Sequence, residues 1–152
     1  MQTSLSRREA IAVTAAGLAL AGHSPAWAQA ATANDHAELI KKFTGGKIAT
    51  AAKVSLDLPD IAENGNTVPV TIKVDSPMAA DDYVESVLVV ADGNPRGGIA
   101  TLRFSPTSGV AEVNTRIRLA QTQTVTAVAK TSKGDFFMAS RQVKVTIGGC
   151  GG

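Results

Sequence analysis

The sequence is poor in the residue types that build most enzyme and metal sites. Its 152 residues include one cysteine and two histidines, and aromatic residues make up 4% of the chain. A single cysteine excludes a disulfide within the chain, and neither His23 nor His36 has a neighbour at a spacing suited to a metal ion. The formal net charge of +2 gives no reason to expect a nucleic-acid partner. With few aromatic residues, the core must consist mainly of Val, Ile, Leu and Ala.

Residues 1–28 have the composition of an export signal. Arg7-Arg8 precede an apolar run from residue 10 to residue 21, and the small-x-small cleavage site Ala26-Trp27-Ala28 follows. The apolar run is shorter than the ~20 residues that span a bilayer, which argues against a membrane anchor. The paired arginines resemble the twin-arginine type of signal, which is used to export folded proteins. We therefore expect a periplasmic mature protein without a membrane anchor, cleaved near Ala28 or Ala30.

The rest of the chain predicts a short helix followed by an all-β domain. Residues 29–46 contain the helical segment, Thr32 to Phe43, and residues 47–147 show short apolar runs separated by turn residues. The runs predicted as strands are Lys53–Leu58, Thr67–Asp75, Tyr83–Ala91, Ile99–Phe104, Val110–Leu119, Gln123–Thr131 and Phe136–Ile147. About seven short strands with regular turns are typical of an immunoglobulin-like antiparallel β-sandwich.

The apolar pattern also predicts which side chains face the core. The continuous run Val87–Val90 is expected of a strand that is buried on both faces. Alternation places Thr115 inward in its strand, and Ile147 inward at the end of the last strand. Five acidic residues are interpreted as turn and cap residues, not as an acid–base pair; they are Asp57, Asp60, Glu63, Asp81 and Asp82.

The chain ends with a cysteine between two pairs of glycines, Gly148, Gly149, Cys150, Gly151 and Gly152. Glycine adds nothing to a core and loses much conformational entropy when it is ordered, so residues 148–152 are predicted to form a thin, flexible arm. No basic residue lies close to the cysteine in sequence, so the chain supplies no group that would activate the thiol. Catalytic cysteines need such a group. The thiol of Cys150 is therefore interpreted as a handle on which other enzymes act.

Three stretches of the sequence resemble the SoxY family of sulfur carriers. They are Val143–Gly152, Leu58–Val70 and Thr115–Ala120. The resemblance implies a β-sandwich that holds thiosulfate-derived sulfur covalently on Cys150 and presents it to the enzymes of the Sox thiosulfate-oxidising system. The glycines that flank Cys150 would let the arm enter several active sites. The resemblance implies no metal or other cofactor apart from the sulfur adduct itself.

The same resemblance implies a set of partners. SoxZ, which resembles a second β-sandwich, would form a heterodimer with the chain. A c-type cytochrome would join thiosulfate oxidatively to the thiol as a cysteine S-thiosulfonate, and a hydrolase would release sulfate. A sulfane dehydrogenase would oxidise the remaining sulfur in organisms that possess it. The chain itself is expected to be a carrier subunit without an autonomous catalytic site.

Other interpretations stay open on the sequence alone. The chain is alternatively an assembly or adhesion module in which Cys150 forms an intermolecular disulfide. A carrier that acts through the carboxylate of Gly152 is a further alternative, although such proteins have a helix-containing β-grasp fold and need cytosolic activation. The oligomeric state is open between heterodimer, homodimer and tetramer. A surface that attracts anions is a weaker hypothesis, since outward charges are usually only solvated; its candidate residues are Arg103, Arg116, Arg118, Arg141 and Lys144.

Overall fold

A computed structural model describes residues 34–149. The predicted signal, together with Cys150, Gly151 and Gly152, lies outside the described residues. The described residues form one α-helix, one short 3-10 helix at Pro106–Ser108, and eight strands; the strands assemble into two sheets.

The predicted helix is confirmed as α1, His36–Thr44. It begins after Asn34, whose Oδ1 accepts a hydrogen bond from the His36 backbone N–H at 3.0 Å and whose Nδ2 donates to Ala91 O at 2.9 Å. It ends at Gly45, which adopts a left-handed conformation (φ 62°) that glycine reaches at little cost. Through Asn34 the start of the helix is therefore fixed to the β domain.

The strands run in chain order as β1 Val54–Asp57, β2 Ile61–Asn64, β3 Val68–Val74, β4 Val84–Ala91, β5 Gly98–Arg103, β6 Ala111–Ile117, β7 Gln123–Thr131 and β8 Phe136–Ile147. One sheet has three strands in the order β1-β3-β6, and the other has five in the order β2-β8-β7-β4-β5. These pairings are antiparallel apart from that of β2 with β8, which is parallel. The predicted two-sheet, all-β architecture is confirmed.

Strand β2 was not predicted. Glu63 lies in this strand and Asp57 closes β1, so the interpretation of both residues as turn residues was wrong. The sequence gives little sign of β2 because only Ala62 among its four residues is buried. Its partner is the last strand, where Ala62 lies opposite Val145. Because the two strands are far apart in the chain, their pairing produces no recognisable pattern in the residues around β2. The result is that β8 pairs with β7 along residues 136–143 and with β2 along its final residues, 144–147.

The core lies between the two sheets and has the predicted aliphatic character. All of Val87–Val90 is buried, which confirms the prediction of a doubly covered strand. Val87 and Val89 belong to the cluster between the sheets, whereas the alternate residues Leu88 and Val90 face the other side of the sheet, where α1 packs on β4.

Two inward predictions were wrong. Thr115 is exposed, because β6 is an edge strand of the three-stranded sheet and its central residues receive little cover. Ile147 is 67% exposed, because it is the last residue of β8 and pairs only with exposed Asn64. The last strand therefore leaves the sandwich core before the chain reaches Gly148.

Candidate functional site

Three chain segments meet where β8 ends and the cysteine-bearing terminus begins. We call this the glycine junction; it consists of Gly65, Leu119–Ala120 and Gly148–Gly149. The Gly65 N–H donates to Ile147 O at 2.8 Å, and Gly65 O accepts from the Leu119 N–H at 2.8 Å. Leu119 O in turn accepts from the Gly149 N–H at 2.9 Å. Backbone groups thus connect the turn after β2, the loop after β6 and the base of the arm.

The junction requires glycine because the backbones approach too closely for a side chain. A Cβ atom on Gly65 would overlap Leu119 O, and one on Gly148 would overlap Ala120 O. A Cβ atom on Gly149 would lie 2.9 Å from Gly65 O, closer than real Cβ contacts allow. Each of these neighbours is a backbone atom, which cannot rotate away as a flexible side chain would. Glycine is therefore needed here for packing as well as for flexibility.

The predicted arm of residues 148–152 divides at this point. Gly149 is buried, and with Gly148 it packs against the domain instead of extending from it. Freedom of the arm remains a prediction for the segment that begins with Cys150. The sequence feature that could have pointed to this contact is Gly65, a single glycine that lies far from Gly148 and Gly149 in the chain.

A buried amide fixes the loop of the junction from its other side. Asn94 is 4% exposed; its Nδ2 donates to Arg118 O at 2.9 Å, and its Oδ1 accepts from the Ala120 N–H at 2.9 Å. The Oδ1 atom also accepts from Gln123 Nε2 at 2.8 Å. The sequence alone does not reveal this role of Asn94, because asparagine is also common in exposed loops. Because Leu119 lies between two residues bonded to Asn94, the loop is held on both sides of its contact with Gly149.

The end of β8 is itself firmly attached. The Val145 N–H donates to Thr122 Oγ1 at 3.0 Å, and the Lys144 N–H donates to Asp60 O at 2.9 Å. These contacts hold the strand on both sides just before the glycine junction. The chain therefore reaches Gly148 from a fixed starting point.

The immediate contacts of the base of the arm are with backbone atoms. The atoms nearest to the Cβ positions of Gly148 and Gly149 belong to the backbone of Gly65, Asn66 and Ala120. A hydrogen bond to Asp82 raises the pKa of Lys133, but that residue precedes the opposite end of β8. Within residues 34–149 no group of three or more His, Cys, Asp or Glu side chains is placed to hold a metal ion.

The predicted basic surface is divided between the two sheets. Arg103 lies on β5 in the larger sheet, and Arg116 lies on β6 in the smaller one. Arg141 Nη2 lies 2.8 Å from Asp60 Oδ1 and forms an ion pair. Arg103, Arg116 and Arg141 therefore lie on three different strands, and no two neighbouring strands hold all of them. In the described part of the chain, no helix is long and apolar enough to cross a membrane.

Two comparisons with known proteins identify SoxY proteins as similar to this chain. The family model described as sulfur oxidation protein SoxY matches residues 40–150. The solved structure of the sulfur carrier protein SoxY from Chlorobium limicola f thiosulfatophilum is similar, with 27% sequence identity and a TM-score of 0.59. That match covers 73% of this chain and 96% of the other. A comparison with curated protein sequences gives no significant match.

Superoxide reductases share the fold at lower sequence identity. The enzyme from Ignicoccus hospitalis (neelaredoxin) is 15% identical, with a TM-score of 0.56 and coverage of 62% of this chain and 80% of the other. The enzyme from Nanoarchaeum equitans is 12% identical, with a TM-score of 0.51 and coverage of 64% of this chain and 100% of the other. At this identity the likeness shows the arrangement of the strands alone.

Proposed function

The chain belongs to the SoxY family of sulfur oxidation proteins, and we propose that it carries thiosulfate-derived sulfur covalently on the thiol of Cys150. The observation that supports this most directly is the extent of the family match, which ends at residue 150 and so includes the cysteine. The similar structure from Chlorobium limicola f thiosulfatophilum is named as a sulfur carrier protein, which agrees with a Sox carrier role for this chain.

The loading step is an oxidation. The terminal sulfur of thiosulfate forms a bond to the sulfur of Cys150, the thiol loses its proton, and two electrons pass to a c-type cytochrome partner. The product is the cysteine S-thiosulfonate. Because the chain places no basic residue beside the cysteine in sequence, the partner's active site must accept the thiol proton.

Unloading requires water and a second oxidation. A hydrolase adds water to the terminal sulfonate sulfur, which leaves as sulfate, and a persulfide remains on Cys150. A sulfane dehydrogenase removes six electrons from the outer sulfur, three water molecules supply its oxygen atoms, and an S-sulfonate results. A last hydrolysis releases sulfate and restores the thiol. Throughout these steps the chain binds and presents the sulfur while its partners perform the catalysis.

Intact-mass spectrometry of the purified protein tests the proposal. We expect incubation with thiosulfate and the cytochrome partner to add one thiosulfonate group to the wild-type protein and none to Cys150→Ser. A variant that lacks Gly152 keeps the thiol but moves the terminal carboxylate, and it should still be loaded. Loading that persists in Cys150→Ser would contradict the proposal. Loading that depends on Gly152 but not on Cys150 would favour the carboxylate alternative.

The assembly-module alternative predicts a different outcome in the same samples. A chain whose cysteine serves only to cross-link would occur as a disulfide-bonded dimer that thiosulfate and the cytochrome leave unchanged. Electrophoresis without reductant and sedimentation analysis, each compared with Cys150→Ser, measure this directly. A predominantly disulfide-linked protein that is never loaded after reduction would support the alternative.

We also propose that the protein works in the periplasm as a complex with SoxZ. The support is the signal-like composition of residues 1–28 and the family membership, which places the chain in the Sox system. Replacement of Arg7-Arg8 by lysines should abolish export, as measured by cell fractionation, whereas the distant change Lys73→Arg should not. Co-expression with SoxZ should give a complex of defined mass; two separate monomers would contradict the partnership.

A further inference from the structure

We propose that Gly65 is a positioning residue for the carrier thiol, because it closes the glycine junction that anchors the base of the arm. The turn after β2 would thereby set how far Cys150 reaches from the domain. The importance of this reach rests on the proposed carrier function, whereas the anchoring itself follows from the contacts of Gly65.

Both backbone groups of Gly65 are used in the junction. Its N–H donates to Ile147 O at 2.8 Å, and its carbonyl accepts from the Leu119 N–H at 2.8 Å. The carbonyl of Leu119 then accepts the Gly149 N–H at 2.9 Å. One peptide segment therefore connects the last residue of β8 with the loop that holds Gly149.

The anchoring changes the reach of the thiol. Within residues 34–149, the N–H of Gly149, bound to Leu119 O, is the last anchored N–H group before Cys150. If Gly148 and Gly149 leave the junction, the free chain begins directly after Ile147 instead. The two additional residues extend the arm by about 7 Å, since an extended residue spans about 3.3–3.6 Å. The junction thus defines a short, anchored arm and a longer, released one.

The arm can leave the junction without disturbing the core. Gly148 and Gly149 contribute no side chain to the packing, and the Gly149 N–H bond to Leu119 O is the hydrogen bond that binds them to the loop. Local opening of a terminal segment requires only the loss of such contacts. A partner enzyme that binds the released arm would therefore shift the equilibrium towards the longer form.

A side chain on Gly65 should release the arm selectively. Its Cβ atom would overlap Leu119 O and lie 2.7 Å from Gly149 N. Leu119 cannot easily move, because it is fully buried and Asn94 holds the residues on either side of it. The turn at Gly65 must therefore shift to relieve the overlap with Leu119 O, and Gly149, which is near the end of the chain, then loses the backbone on which it packs. We therefore expect Gly65→Ala to displace Gly149 while the sandwich stays folded.

Two measurements test this without thiosulfate or partner enzymes. In the wild-type protein, amide exchange measured by NMR should be at least about tenfold slower for Gly149 than for Gly151, relative to their unfolded rates. Gly65→Ala should remove this protection. The second readout is the ratio of the Cys150 labelling rates with a polyethylene-glycol maleimide and with a small maleimide, which should rise severalfold on release, because a longer arm lets the bulky reagent approach.

Two control variants separate anchoring from general effects. In Gly98→Ala the new Cβ atom would lie 3.1 Å from the Leu39 side chain, which can adjust, so both readouts should stay at wild-type values. Gly151→Ala changes the arm beyond the junction and should preserve protection of the Gly149 amide. If Gly65→Ala does not fold, Gly148→Ala provides the same test from the other side of the junction, because its Cβ atom would overlap Ala120 O.

An unprotected Gly149 amide in the wild-type protein would overturn the inference, as would unchanged readouts in both Gly65→Ala and Gly148→Ala. The proposed function is judged separately by thiosulfonate loading. A protein with the expected protection that is never loaded would contradict the carrier function alone, whereas a loaded protein without protection would contradict the anchor alone.

Discussion

The centre of the five-stranded sheet and the glycine junction are held together in opposite ways. In the sheet, Val87, Val89, Val125 and Val128 are at most 1% exposed, and side-chain packing supplies the cohesion. In the junction the contacts of Gly65, Gly148 and Gly149 are backbone to backbone. The comparison shows a scaffold held by side-chain packing, and an arm whose base is held by a few backbone contacts.

The strongest way to test the contrast is to remove volume from the core. Ile72 is 1% exposed, and Ile72→Ala should lower the free energy of unfolding by about 3 kcal/mol through lost burial and a residual cavity. Urea denaturation measures this change. Protection of the Gly149 amide under native conditions should remain, because the anchor does not use this side chain.

The neighbouring residue Lys73 provides the matched control for that substitution. Its side chain points outward and lies 3.7 Å from Glu112 in an exposed ion pair. Lys73→Ala should cost less than about 1 kcal/mol. Equal losses from Ile72→Ala and Lys73→Ala would contradict the assignment of the core.

An intermediate effect is expected where the scaffold supports the junction. Asn94→Ala removes a buried side chain that accepts from the Ala120 N–H and donates to Arg118 O. Leaving such groups unpaired costs about 1–3 kcal/mol, so we expect a loss of about 2 kcal/mol in urea denaturation. Protection of the Gly149 amide should also fall, because the loop that binds it is no longer held.

The exposed amide Asn114, which hydrogen-bonds to Thr71, gives the control for this change. Asn114→Ala should affect the free energy of unfolding only slightly and leave the Gly149 amide protected. If Asn94→Ala destabilises the protein while protection of Gly149 persists, Asn94 supports the fold but has no part in the junction.

Apart from the control substitutions, the smallest change in stability is expected at the arm itself. Gly148→Ala creates an overlap with Ala120 O, but the terminal segment can leave the junction. The cost is then limited to the contacts given up, about 1 kcal/mol for a hydrogen bond. Gly65→Ala should cost more, since Gly65 lies inside the chain between β2 and β3 and cannot leave. Urea denaturation of the two variants in parallel measures the difference, and the reverse order would contradict this account.

The sequence predicted the sandwich well because its strands carry their own pattern. Val68 to Val74 alternates, Val87 to Val90 is continuously apolar, and both patterns reflect burial that each strand shows locally. Strand β2 escaped prediction because its pairing with β8 joins distant parts of the chain. Ile147 was misplaced because alternation continues past the point at which the opposing sheet ends.

The candidate site could be predicted only in part for a related reason. Cys150 stands out in the sequence as the single cysteine, and its glycine neighbours indicate a slender chain. The same glycines gave no sign that Gly148 and Gly149 pack against Gly65, because glycine suits mobile segments and close backbone contacts equally. The buried amide of Asn94 was hidden for a similar reason, since asparagine is common in exposed turns. Only the tertiary contacts show whether such a glycine or asparagine is packed in the fold or exposed.

The position of β8 between β2 and β7 has a mechanical consequence. A partner that grips the terminus and pulls along β8 loads first the hydrogen bonds to β2, along residues 144–147, and then those to β7, along residues 136–143, because both sets run across the strand. Rupture in shear requires many bonds to fail together, whereas the single Gly149 bond to Leu119 fails alone. Tension applied at the C-terminus would therefore first detach Gly148 and Gly149 from the junction. The arm would lengthen while the sandwich stays folded.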